Sequence, residues 1–364
     1  MNNFNYNKTY YKVTNKEENH HDFNYNKTYY KVTNKEENHH DFQYKDGLNI
    51  DTISFNNDST QYCVPGGLYF TELENLIKFF DYGCWIREVT IPKDAKVIED
   101  PNGNKWRADK IILGKKYSFE EYFKELWDPD KFNWDWSRYL AIYCSDHFDK
   151  WWSPDKFDWD RSRYLAEYCS DNFDKWWNSD KFDWNWSHYL AKYCSDHFDK
   201  WWSPDKFNWD RSWSLAEYWS DRFDKWWDPE KFDWYYSYYL AKYCSDYFEI
   251  WWNPDKFNWD WSRYLAIYCS DRFDKWWSPD KFNWNRSRYL AEYCSDNFDK
   301  WWNSDKFDWN WSHYLAKYCS DHFDKWWSPD KFNWDRSEYL VKYCSDYKDI
   351  WRKDYKKYHI GGND

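Results

Sequence analysis

The sequence predicts a mainly α protein, an α-solenoid of nine 25-residue, tryptophan-rich repeats preceded by a small α+β domain. Three observations carry this. A 25-residue period runs from residue 127 to 351, with copies beginning at Trp127, Trp152, Trp177, Trp202, Trp227, Trp252, Trp277, Trp302 and Trp327. The aromatic content is extreme, 35 Trp, 36 Tyr and 26 Phe in 364 residues, so the chain has apolar area to bury despite its polar average. Only 8 Gly and 10 Pro are present, so ordinary turn punctuation is sparse and repetition must organise the fold instead.

The repeats are nested. A 19-residue segment, NYNKTYYKVTNKEENHHDF, occurs at 5–23 and again at 24–42, and the unit at 177–201 recurs unchanged at 302–326, as though a block of five units had been copied. One copy of the short segment is surplus to a fold, and residues 1–23 are expected to form a disordered segment before the domain at 24–118. The array is expected at 119–351 and a tail at 352–364. Within 43–118, GLNIDTISF and CWIREVTIP alternate as half-buried strands do, and LENLIKFF places Leu73, Leu76, Ile77 and Phe80 on one helical face. AKVIED and KWRADKIILG flank Pro101-Asn102-Gly103-Asn104 and read as a hairpin or strand pair.

In the repeat WSPDKFDWDRSRYLAEYCSDNFDKW, Ser153-Pro154-Asp155 combines an N-cap hydroxyl, a proline at the first helical position and an acid in the first turn. The PDKF segment should therefore make one helical turn, and Ser162 should open the main helix. Tyr164, Leu165, Tyr168, Cys169, Phe173, Trp176 and Trp177 fall in one arc of about 220°, a wide buried face. Asn172 lies inside that arc, and its equivalents include His147, His197, Arg222 and Tyr247, so the helix is expected to break near Ser170 into two short ones. No unit can cover its own Phe and Trp side chains, and only stacking on neighbours buries them.

The chemistry of the chain points away from several functions. With 52 Lys plus Arg against 64 Asp plus Glu the formal charge is −12, and no basic block offers a path for a phosphate backbone, so nucleic acid is not an expected partner. No signal-peptide core and no stretch approaching the ~20 apolar residues of a membrane span is visible, so the chain reads as cytosolic, not secreted, without a membrane partner and with reduced thiols. The array cysteines (Cys144, Cys169, Cys194, Cys244, Cys269, Cys294, Cys319 and Cys344) recur at a spacing too long for disulfides between rungs and without CxxC or HxxxH patterns, and Trp219 occupies the same position in one unit. They read as buried core thiols. His147, His197 and His322, and likewise His188 and His313, look like surface choices among polar residues. The His20-His21 and His39-His40 pairs, each beside two glutamates, read as solvated linker rather than a metal site. No nucleotide-binding, hydrolase or metalloprotease motif occurs, and neither cofactor nor metal is expected; an enzyme centred on Gly66-Gly67 and Arg87 is the least favoured reading.

The informative positions are those that differ between units. One series is Trp136, Arg161, Trp186, Arg211, Tyr236, Trp261, Arg286, Trp311 and Arg336; beside it run Arg138, Arg163, His188, Trp213, Tyr238, Arg263, Arg288, His313 and Glu338. The second series belongs to the polar face and should be largely exposed. Trp, Tyr and Arg are the residue types enriched at interface hot spots, so the two rows form a candidate recognition stripe. The competing account is that Trp136 and its equivalents merely cover the edge of the next unit.

The segment Tyr44–Tyr117, with its GGLYFT and KWRADKIILG strings, resembles the opening domain of repeat-containing proteins from giant DNA viruses that infect amoebae. Many of those carry ankyrin repeats; this chain lacks the 33-residue period and the TPLHxA signature. The resemblance implies a viral protein of the host cytoplasm or the virion and transfers no catalytic residues. The expected function is non-enzymatic binding of a host or viral protein by a scaffold, with a glycan-binding solenoid using exposed Trp, Asp and Asn as the alternative.

Overall fold

The computed structural model describes residues 23–39 and 42–359. The expected N-terminal segment lies outside them except for Phe23, as do His20, His21 and His40. Contacts divide the chain into two compact units between Asp183 and Trp184.

The first unit contains the strand domain and the opening repeats. Strands β1 (Tyr29–Thr33), β6 (Trp85–Thr90), β9 (Lys110–Tyr117) and β4 (Gly47–Ile50) form an antiparallel sheet in the order β1-β6-β9-β4. A second sheet orders β5 (Leu68–Phe70), β8 (Trp106–Ala108) and β7 (Val97–Glu99), and β2 (Asn38–His39) pairs with β3 (Phe42–Gln43). The expected hairpin is β7–β8, turned through Gly103 at φ +64°. The expected helix is a 3-10 helix, Leu73–Tyr82, burying Leu76, Ile77 and Phe80. The DTISF half of the first expected strand is not a strand. Tyr29, Tyr44, Leu68, Phe70, Val89, Ile111 and Leu113 lie in the core, and Phe23 packs against it, stacked on Tyr29 at 5.0 Å.

This domain is not separate from the first repeats. The Leu73–Tyr82 helix packs on the Ser137–Tyr143 helix. Lys78 Nζ lies 3.7 Å from the Trp136 ring centroid, and a Glu120 carboxylate oxygen lies 3.2 Å from His147 Nδ1. A terminal repeat needs one such cover, because its outer face has no neighbour. At the other end of the chain, helix Lys348–His359 carries helical structure through part of the expected tail.

In the repeat at 152–176, a hydrogen-bonded turn at Ser153–Phe157 is followed by a 3-10 turn (Trp159–Arg161), a helix (Arg163–Tyr168), a second 3-10 turn (Ser170–Asn172) and a short helix (Phe173–Trp176). The break falls where expected, at Cys169 (φ −123°, ψ 27°), yet no Ser170 hydroxyl caps the second helix. Leu165, Ala166, Cys169, Phe173 and Trp176 are buried, whereas Tyr168 is 42% exposed. The helical arc holds only for one continuous helix; with the helix ending at Tyr168, Phe173 and Trp176 enter the core from a second, re-aimed helix and Tyr168 stays outside it.

Ser162 does not act as a side-chain cap. Its buried hydroxyl accepts the backbone N–H of Asp183 in the next repeat at 3.0 Å. In the second unit, Ser212, Ser237, Ser262, Ser287 and Ser312 receive the equivalent N–H of the following repeat. The last tryptophan of each repeat donates to a carbonyl seven residues earlier: Trp251 Nε1 to Cys244 O and Trp276 Nε1 to Cys269 O, both 2.8 Å. The cysteine thiol contacts an alanine carbonyl of the preceding repeat, as Cys294 does Ala266 at 3.8 Å. Trp219 makes the same bond through its indole, to Ala191 O at 2.7 Å, which explains how a ring replaces a thiol there. Surface ladders such as Lys256–Glu230 and Lys281–Asp255 also link successive units, but they are solvent-screened and add little.

All ten cysteines are free, and only Cys63 and Cys84 are exposed. Burial pushes the Cys169, Cys194, Cys269 and Cys294 thiols up to about 12. A thiol reagent at pH 8 should therefore label Cys63 and Cys84 in the folded chain and the other eight only after denaturation; rapid labelling of array thiols under native conditions would contradict this packing. Trp251→Ala should cost about 3–5 kcal/mol, the usual penalty for emptying a large buried aromatic site. Deleting 252–276 whole should be gentler, because Trp251 would then meet Trp277 in place of its equivalent, Trp252. Thermal midpoints from circular dichroism rank the two changes.

Candidate recognition surface

The first variable row closes the 3-10 turn before each main helix, and the second lies in the first turn of that helix. In the first unit, the Arg138 guanidinium lies over the Tyr139 ring at 4.6 Å and the Trp136 ring at 5.5 Å, and Arg163 lies over Tyr164 at 4.8 Å. Arg161 keeps an ion pair to Asp158 at 3.6 Å.

The second unit shows the pattern over several repeats. Arg263 stacks on both Trp261 and Tyr264 at 4.7 Å. Tyr238 packs on Trp261 (4.8 Å) and Tyr264 (5.0 Å) of the following repeat, and Arg288 reaches forward to the Trp311 ring at 4.1 Å. Trp213 meets Tyr239 at 5.3 Å, Trp186 lies 6.1 Å from His188, and Tyr236 lies 6.4 Å from Tyr239. Apart from Glu338, the second row is thus half-buried or buried rather than largely exposed: Trp213, Tyr238, Arg288 and His313 lie across the joint to the next repeat, while Arg138, Arg163 and Arg263 lie on rings of their own repeat. His313 is the extreme, 8% exposed between Tyr314 and Tyr339, and burial lowers its pKa below that of an ordinary histidine. In the first row the rings are half-buried, while Arg211, Arg286 and Arg336 are exposed.

The three kinds of tryptophan are held differently. Trp276 donates to Cys269 O and Trp259 to Pro254 O, whereas Trp261 Nε1 has no acceptor among the described residues. The Trp261 ring is thus positioned by its ring and guanidinium contacts, and the arginine that stands at the equivalent position 286 leaves no such indole bond unmade.

The histidines expected at the surface behave likewise. His322 stacks on Phe298 of the preceding repeat at 4.5 Å, as Tyr247 does on Phe223 at 4.6 Å. A row of tyrosines that the helical arc assigned to the core lies outside it: Tyr168, Tyr268 and Tyr293 are 42%, 38% and 43% exposed. Each continues a stack along its own helix, Tyr264–Tyr268 at 6.0 Å for example. The break at the cysteine was the one signal that could have placed them outside. The face therefore combines cationic guanidinium groups, indoles and phenols in a fixed order. Gly66-Gly67 and Arg87 do not come together: Arg87 is buried and paired with Glu37 and Asp46, beside Lys115 and Lys116.

If the guanidinium–aromatic contacts mainly order the face, Arg288→Ala should cost no more than about 1 kcal/mol. It should nevertheless shift indole fluorescence, since Trp311 loses its cation; an unchanged spectrum would show that the contact is not held in solution.

No family model matches the chain, and no solved structure matches it. Relatives come from Acanthamoeba polyphaga mimivirus. A putative ankyrin repeat protein is 43% identical over 124 residues, 33% of this chain and 51% of that protein. A second putative ankyrin repeat protein is 38% identical over 82 residues, 21% of this chain and 26% of its own length. The chain thus spans about half of one and about a quarter of the other. An uncharacterised protein of the same virus is 42% identical over 122 residues, 33% of this chain and 71% of that protein. With that much of the relative covered, this helical repeat chain belongs to the same mimivirus protein family as that uncharacterised protein.

Proposed function

We propose that the helical repeats form a non-enzymatic scaffold that binds a host or viral protein through the Trp/Tyr/Arg face, in the host cytoplasm or the virion. The single observation carrying this is the ordering of guanidinium groups on indole and phenol rings from one repeat to the next, as at Tyr238, Trp261, Arg263 and Arg288. Such groups are pre-organised, so little side-chain entropy remains to be lost when a partner docks, and they are the residue types that dominate interface energetics. The relatives support a repeat protein of protein interaction, since two of them carry the name ankyrin repeat protein. The 25-residue unit of this chain is a different one. Among the described residues no helix is long and apolar enough to cross a membrane, and no cluster of three metal-ligating side chains occurs.

The glycan alternative is less well supported by the geometry. A sugar-stacking tryptophan needs an open face, and Arg263 with Tyr238 lies against Trp261 while Arg288 lies against Trp311.

The test is a capture experiment from infected-host lysate with the full chain and with the triple substitution Arg263→Ala, Arg286→Ala and Arg288→Ala, alongside a glycan array. A protein retained by the parent chain and reduced at least about ten-fold by the triple change, roughly the loss of one hot-spot contact, is the expected outcome. Equal retention by both chains, or binding to glycans alone, would remove this face from the function.

A further inference from the structure

The strand domain forms a partly open cavity whose lining residues all precede the repeats. Its volume is about 800 Å³, within the range of small-molecule sites, and its walls come from β1, β5, the Leu73–Tyr82 helix and the loop between β4 and β5. Phe42, Tyr44, Tyr69, Phe70 and Phe79 make it largely aromatic. Both strings that mark the domain meet here, GGLYFT through Gly66–Thr71 and KWRADKIILG through Lys105.

The loop is held open by its backbone rather than by side-chain packing. Arg107, with no exposed surface, donates from its guanidinium to the carbonyls of Asn56 (3.1 Å), Gln61 (3.1 Å) and Asp58 (2.6 Å). Gly66 sits at φ +92°, where an added Cβ would come within 2.4 Å of Ser54 O, so the chain crosses itself there as only glycine allows. Tyr69 closes the other side, its hydroxyl both accepting from Val64 N and donating to Val64 O at 2.9 Å.

Two ammonium groups face this space. Lys31 is 7% exposed, donates to one acceptor, Tyr69 O at 3.0 Å, and lies 4.6 Å from the Tyr44 ring centroid; among the described residues no carboxylate pairs with it. Lys105, equally buried, donates to Cys63 Sγ at 2.8 Å, lies over the Tyr62 and Tyr69 rings, and has Asp100 only at 3.8 Å. The carboxylate on the cavity wall is engaged elsewhere: Asp51 accepts the N–H groups of Ile53 (3.0 Å) and Gly67 (2.6 Å). A buried cation without a counter-ion is costly, and desolvation, with Lys105 adding repulsion, draws the Lys31 ammonium down to about 7. An anion entering the cavity would remove that cost. The aromatic walls call for an apolar body behind it.

We propose that this cavity is a binding site for a small organic carboxylate with an aromatic or aliphatic body, its charged end between Lys31 and Lys105.

The probe is 4-phenylbutyrate, with 4-phenylbutan-1-ol as its uncharged counterpart, titrated into the full chain by calorimetry at pH 7. The acid should bind at least about ten-fold more tightly than the alcohol, the advantage expected of a charge-assisted hydrogen bond. Lys31→Met should abolish that preference while keeping or raising the thermal midpoint, since it replaces an uncompensated buried amine by an apolar group. Ile53→Asp is a second variant that does not touch the core: Ile53 is 54% exposed at the cavity, and a carboxylate there should weaken the acid at least about three-fold while leaving the alcohol unchanged. Equal affinity for acid and alcohol, no binding of the acid up to about 5 mM (an affinity near −3 kcal/mol), or indifference of the acid to both substitutions would overturn the proposal.

Discussion

The repeats depend on one closed link. The main helix of each repeat stops at a cysteine (Trp219 in one case), and an indole N–H seven residues on takes that residue's carbonyl: Trp226 to Trp219 O, Trp251 to Cys244 O, Trp301 to Cys294 O. A helix end leaves carbonyls without intrahelical partners, and a buried one must find a donor. Supplying it from a large ring satisfies the backbone and fills the core with the same side chain. The ring also fixes the angle between the two short helices, and with it which residues of the next segment face in.

That angle sets the joint between repeats. Phe248 and Trp251 at the end of one repeat and Phe257 near the start of the next form one buried cluster, and Ser262 and Cys269 of that second repeat present a hydroxyl and a thiol to the backbone of the repeats on either side. Small polar groups suit this place because they satisfy peptide groups without demanding volume. Each such bond is individually modest, but breaking one leaves a peptide group buried and unpaired. The Trp/Tyr/Arg face is a by-product of the same geometry: side chains too long for the joint lie across it, and Tyr238 or Arg288 thereby becomes ordered against the next repeat.

The strand domain obeys another logic. Its core is an ordinary apolar one around Tyr29, Leu68, Val89 and Ile111, and it covers the outer face of the first repeat through the Leu73–Tyr82 helix. What is unusual there is polar: a buried arginine serving three loop carbonyls, and two buried lysines of which the better paired has its carboxylate only at 3.8 Å. Such groups persist only where something offsets their desolvation.

The sequence by itself determined whatever rests on period and local chemistry. The 25-residue unit, the helix break beside Cys169, the turn at Ser153, the β7–β8 hairpin and the buried thiols were all legible, because spacing and turn residues act within a few positions. Only the tertiary structure decided where side chains near a break point. Tyr168 turned outward because the helix ends at the next residue. Ser162 served the following repeat rather than its own helix, and His313 became buried, because their partners lie some 20 or more residues away and appear only when units stack. Lys31 and Lys105, 74 positions apart and unremarked in the chain, met in one cavity for the same reason: sheet topology, which no local pattern records, brought them together.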